Sequence, residues 1–109
     1  GIFDKGKILH TSLFKVIWIV PETAIPARAQ IAFMVPKKIF RNAVTRNLIR
    51  RRMREAYRVQ KQILYHFLEE KQISLAFVLI YRKTDVPDYG SVYRSVGEAI
   101  DKLRVYLDT

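Results

Sequence analysis

The spacing of apolar residues changes several times along this 109-residue chain, and each change marks an element. Residues 13–20, LFKVIWIV, are β-branched and aromatic and are closed by Pro21, which reads as a strand. Residues 21–29 carry two prolines and read as a loop. Residues 30–35, QIAFMV, read as a second strand ended by Pro36, and are expected to be the hairpin partner of the first. Residues 75–81, LAFVLIY, are so continuously apolar that the strand should be buried on both faces. Residues 91–107 return to helical spacing, with Val96, Ala99, Ile100, Leu103 and Leu107 on one side. At the other end, residues 1–7 read as the tail of a helix stopped at Gly6, with Phe3 on its apolar side. A chain beginning inside such a pattern implies a truncated first helix.

Between the second and third strands the pattern is that of a long helix. Asn42 is a natural N-cap, and the next glycine or proline is Pro87. At about 100° per residue, Arg46, Asn47, Arg50, Arg51, Arg54, Arg58 and Lys61 share one face. Ile49, Met53, Ala56, Ile63 and Phe67 share the opposite one, the face expected to pack on a sheet.

Charge turns this helix into a candidate site. The chain has a formal charge of +10. From residue 37 to residue 61, ten basic residues oppose Glu55 alone, a net of +9, so the remainder is close to neutral. Guanidinium groups stay charged near neutral pH and must be solvated, paired or pressed against an anion. A solvated helix usually interleaves its signs, whereas a localised cationic stripe is the footprint of phosphate neutralisation. With half of its residues hydrophobic, the chain is not a disordered basic tail. Its length suits one domain, residues 1–109.

Candidate chemistry is sparse. No cysteine is present, which removes disulfides, thiolate nucleophiles and zinc–cysteine sites and fits a reducing, cytoplasmic setting. His10 and His66 have no serine or carboxylate arrangement around them, and the four glycines form no phosphate loop. Asp85 and Asp88 flank Pro87 as turn residues do. No apolar run approaches the roughly 18 residues that span a bilayer. These observations predict no catalytic residue, no metal site and no membrane partner. A basic-leucine-zipper reading would need further heptads after the basic region, and a surface-seeking membrane helix would be terminal or free. A ribosomal or other RNA-binding module explains the charge equally well.

Residues 35–58, VPKKIFRNAVTRNLIRRRMREAYR, resemble the signature of the protein subunit of bacterial ribonuclease P. The matching positions are Val35, Lys37, Lys38, Ala43, Val44, Arg46, Asn47, Arg51, Arg54 and Glu55, with Arg50 in place of a lysine. Phe3 and Gly6 match the end of that family's first helix, Phe14 its first strand, and LAFVLIYRK its buried last strand. Leu48 departs from the pattern, standing where the family carries an arginine, and the front of the first helix is missing.

The resemblance implies an α/β (α+β) sandwich, with helices on one side of a four-stranded mixed sheet and a left-handed crossover through the basic helix. It implies a non-catalytic subunit of an endoribonuclease whose RNA subunit holds Mg²⁺ and removes the 5′ leader from precursor tRNA. No cofactor would be bound by the protein alone, and no obligate protein partner is implied. Lys37, Lys38, Arg41, Arg46, Asn47, Arg50, Arg51, Arg54 and Arg58 would meet the RNA subunit. A cleft floored by the sheet and edged by the first helix would hold the single-stranded leader. Phe3, Phe14 and either Ile17 or Trp18 are the candidates to line it. Strand alternation alone leaves open which sheet face that is.

Overall fold

The computed structural model describes residues 2–22 and 28–108. In chain order the elements are α1 (Ile2–Lys5), β1 (Lys7–His10), β2 (Phe14–Ile19), β3 (Ala29–Met34), α2 (Ala43–Arg58), α3 (Lys61–Lys71), β4 (Leu75–Tyr81) and α4 (Tyr89–Leu107). The strands form one mixed sheet in the order β1-β2-β4-β3, with β3 parallel to β4 and the other pairs antiparallel.

This order corrects the expected hairpin. β2 and β3 are neighbours in sequence but not in the sheet, because β4 lies between them. The cause is the apolar content of β4: a strand hydrophobic on both faces is most stable with a partner on each side. β2 therefore pairs outward with β1, a strand that the sequence reading did not contain. Four residues, KILH, with two apolar side chains give too short a period to detect, although such short edge strands are ordinary.

Register lines up one coherent apolar face. Leu9, Val16 and Leu79 are successive partners across three strands, as are Trp18, Phe77 and Ile31. Phe14 sits opposite Tyr81, ring edge to ring face at 6.2 Å between centroids. Ile49, Met53 and Ala56 of α2, Leu64 and Leu68 of α3, and Val92, Val96, Ala99, Ile100 and Leu103 of α4 close over this face. Tyr57 wedges between α2 and the sheet, its ring about equally near Phe33 (5.9 Å) and Phe77 (6.0 Å). Its buried hydroxyl finds no hydrogen-bond partner among the described residues, and burial, reinforced by the Tyr65 hydroxyl, pushes its ionisation up.

The basic helix is interrupted. α2 ends at Arg58 and α3 starts at Lys61 without any glycine or proline. Gln60 supplies the reason: its side-chain amide donates to Ala56 O and to Tyr93 O, both at 3.0 Å, fixing the break against α4. The apolar stripe is thereby re-phased. Leu64 and Leu68 are buried, whereas Ile63, expected on the packed face, is 51% exposed.

A buried polar link ties α4 to the β1–β2 turn. Thr11 and Ser95 share a hydroxyl–hydroxyl bond of 2.7 Å, Phe14 N donates to Thr11 Oγ1 and Leu13 N donates to Ser95 Oγ. Both hydroxyls are buried and satisfied.

The opposite sheet face is open in part: Ile8, Gln30 and Ala32 are exposed, whereas Ile17 and Val78 are buried. Ile8, Ile17, Val78 and Ala32 form one row across the four strands, and Ile19, Ala76 and Gln30 form another. Among the described elements, α1 packs over this face, at Ile17. Gly6 makes that cover possible: its N–H donates to Ile2 O at 2.7 Å, and a Cβ there would lie 2.6 Å from Ile17 Cγ2. The requirement is space, since no described glycine has a positive φ.

Candidate nucleic-acid interface

The cationic surface begins before α2. Pro36 O accepts from the N–H groups of Ile39 and Phe40, making a turn that buries Phe40 and leaves Lys37, Lys38 and Arg41 exposed. Asn42 then caps α2 as expected, its Oδ1 accepting from Val44 N at 2.8 Å.

Within α2 the expected basic residues divide by what they touch. Arg46 is half-buried and donates through Nη1 to Phe40 O (2.7 Å) and Arg41 O (2.9 Å), so it clamps the loop against the helix. Arg50 donates to Asn47 Oδ1 at 3.2 Å, which orients the amide and leaves its NH₂ free to donate outward. Arg51 is exposed. Arg54 lies 5.9 Å from the Phe33 ring at the β3 side of the helix. Arg58 makes a two-point pair with Glu55 (2.7 and 3.0 Å), which holds the Glu55 carboxyl below its ordinary range and raises Arg58. Arg52 faces the other way, donating to Pro87 O at 2.6 Å and tying α2 to the loop before α4. Val44, Asn47, Leu48, Arg50, Arg51 and Arg54 surround an open depression of about 460 Å³.

Such a surface suits a polyanion. Its donors are permanently charged, several are fixed by neighbouring atoms, and Glu55 is the sole acid on α2.

The second surface is the open sheet face. Ile2, Gln30, Ala32, Ala76 and Val78 contribute to a trough of about 580 Å³ beside α1. Its walls are small or apolar, with the Gln30 amide as the polar group among these five. Phe3 is 63% exposed on α1, and Ile17 is buried beneath that helix.

Two expected lining residues must be corrected. Phe14 and Trp18 point to the helix-covered face; Phe14 is fully buried, and Trp18 packs near Tyr106 of α4 (6.1 Å) under Lys7. A period of two separates Ile17 from its neighbours but does not say which set faces the helices. Register with β4 decides it. The trough residues Gln30, Ala32, Ala76 and Val78 were missed; the two-sided hydrophobicity of β4 was the one available signal.

No metal centre emerges: among the described residues no three His, Cys, Asp or Glu side chains are gathered to hold an ion. His10 and His66 are both exposed and on different elements. No described helix is long and apolar enough to cross a membrane.

The model of the ribonuclease P family matches residues 1–104. The chain is similar to the ribonuclease P protein component of Porphyromonas gingivalis, with 29% identity over 102 residues, 94% of this chain and 74% of that protein. It is similar to that of Petrotoga mobilis at 35% identity over 108 residues, covering 94% of this chain and 82% of the relative. Among solved structures, the RNase P protein of Staphylococcus aureus superposes with a TM-score of 0.70 at 23% identity, covering 94% and 84% of the two chains. That of Thermotoga maritima gives 0.71 at 22% identity, covering 93% and 86%. At these identities the two superpositions speak for the fold.

Proposed function

The chain belongs to the ribonuclease P protein family, and from that premise we propose that it acts by neutralising charge and positioning RNA, not by breaking bonds. A ribonuclease P protein component is a subunit of the holoenzyme that matures the 5′ ends of tRNA. In this reading the exposed side of α2, with Lys37, Lys38 and Arg41 beside it, meets phosphates of the catalytic RNA subunit. Asn47, oriented by Arg50, donates to a base or phosphate within that contact. The open sheet face takes the single-stranded leader of precursor tRNA. A trough of small and apolar side chains suits a strand bound without sequence preference. The protein works in the cytoplasm, without an obligate protein partner.

One observation carries the proposal: a fixed cationic helix face occurs on a fold whose described residues gather no three His, Cys, Asp or Glu side chains that could hold a metal ion. Mg²⁺ is a hard cation that needs carboxylate or other oxygen donors brought together, and the protein's donor set does not fit it. In this reading the Mg²⁺ ions are held by the RNA.

Cleavage of precursor tRNA against Mg²⁺ concentration tests this, with the cognate RNA alone, the protein alone, and both together. Adding protein should lower the Mg²⁺ requirement, since bound arginines replace cations in bringing two polyanions together. Robust cleavage by RNA-free protein would overturn the proposal.

A further inference from the structure

The start of α4 carries two neighbouring tyrosines that the core does not use. Tyr89 and Tyr93 are one helical turn apart, with ring centroids 6.2 Å from each other and planes inclined at 50°. They are 38% and 43% exposed, and neither belongs to the hydrophobic cluster between sheet and helices. Their backbone is held at two points: Arg52 of α2 binds Pro87 O at 2.6 Å, and Gln60, in the break between α2 and α3, binds Tyr93 O at 3.0 Å. Asp88 is occupied in capping α4, accepting from Ser91 N and Ser91 Oγ.

The surroundings carry both signs with guanidiniums in excess: Arg52, Arg58 and Arg94 against Glu55, which pairs with Arg58, and Asp88, which caps α4. Arg94 follows Tyr93 and is exposed, donating to Ser91 Oγ at 3.3 Å. Arg58 ends α2 two residues before Gln60, whose side chain reaches Tyr93 O at 3.0 Å. These rings therefore continue the arginine face of α2 along its α4 flank. Arg54 and Phe33 mark the other flank, which leads to the β3 edge of the sheet.

We infer that Tyr89 and Tyr93 are a stacking platform for unpaired nucleotides of the catalytic RNA subunit, with Arg58 and Arg94 receiving the adjoining phosphates. Three features point to this occupant. Exposed rings on a fixed backbone give a base its stacking surface at little ordering cost. Flanking guanidiniums match a phosphodiester chain and disfavour a basic partner, which includes a second copy of this protein. The position across α2 from the trough assigns the rings to the RNA subunit and not to the leader. The inference rests on the proposed binding of that RNA by α2, and it adds a second contact of different physical type.

Affinity for the cognate catalytic RNA, measured over a range of salt, separates the two contacts. Tyr89→Ala/Tyr93→Ala should bind about tenfold or more weakly, as loss of stacking on at least one base requires. Its salt slope should equal that of the wild type, because stacking releases no counterions. Tyr89→Phe/Tyr93→Phe keeps the rings and should bind within about twofold of wild type. Arg51→Ala is the control for the cationic face. If Arg51→Ala weakens binding and the alanine pair does not, the platform is wrong and the α2 reading stands. If neither weakens binding, the α2 reading fails and takes the platform with it. Nitration of wild-type protein gives a readout that does not depend on the variants' folding. Both tyrosines should be nitrated in free protein and protected by the RNA, and equal nitration with and without RNA would overturn the inference.

Discussion

The arginine face of α2 and the open face of the sheet would give RNA two different kinds of free energy. α2 offers a row of guanidiniums, with Val44 and Leu48 set among them, so the charged part of its contribution comes from counterion release and falls steeply with salt. The trough offers small and apolar area with few charges, so its contribution comes from contact and should resist salt. A protein with both can hold a large folded RNA through its phosphates while accepting a leader of any sequence. On the proposed reading, contact with the RNA subunit and contact with the leader need not share residues in this molecule.

The sharpest break between the two faces of the sheet lies at Phe14 and Phe3. Phe14 is fully buried under the helices, so Phe14→Ala should cost about 3–5 kcal/mol, read in urea or thermal melts. Phe3→Ala, at an exposed ring, should change stability by under about 0.5 kcal/mol. A Phe14→Ala protein that melts like wild type but loses the leader would show that the two faces have been exchanged.

Arg52 and Arg54, two residues apart on α2, sharpen the comparison next. Arg52→Ala removes the bond to Pro87 O and should cost about 1–2 kcal/mol while the salt slope of RNA binding stays constant. Arg54→Ala should do the reverse: near-neutral stability, weaker binding, and a slope flatter by roughly 0.7–0.9. Arg46→Ala should show both losses, because that guanidinium clamps Phe40 O and Arg41 O as well as facing outward. If all three variants move only stability, α2 is a structural helix and its charge has another purpose.

The smallest effect is expected at Leu48, half-buried at the rim of the depression on α2. Leu48→Arg should cost under about 1 kcal/mol, because an arginine stem can cover the same edge. It should steepen the salt slope by up to about one unit, the effect of one added phosphate contact. A loss of several kcal/mol in melting would mean that Leu48 belongs to the core.

These residues also show what could be read in the chain before its fold was known. β2, β4, α4 and the Asn42 cap follow from local chemistry: β-branched runs, helical spacing and a side-chain acceptor where the first turn needs one. The exposed arginines were legible because like charges on a helix cannot all be buried. Partnership was not legible. β4 separates β2 from β3 through competition among strands that no single segment records. The helix break at Gln60 depends on Tyr93 O, thirty-three residues away. Phe14 was expected on the wrong face, and the choice between Ile17 and Trp18 stayed open, for the same reason: the side of a strand that faces the helices is settled by its neighbours. Arg52 already falls outside the cationic face by helical spacing, but its partner, Pro87 O, is visible only in the fold.

The most direct test of the account uses the absence of cysteine from the chain. Single cysteines placed at Val44, 76% exposed on α2, and at Gln30, in the trough, can each carry a tethered iron chelate that cleaves nearby RNA. In the holoenzyme bound to precursor tRNA, the probe at Val44 should cut the catalytic RNA subunit and spare the leader. The probe at Gln30 should cut the leader. Cleavage of the leader from Val44, or of the catalytic RNA alone from both positions, would contradict the assignment of the two surfaces.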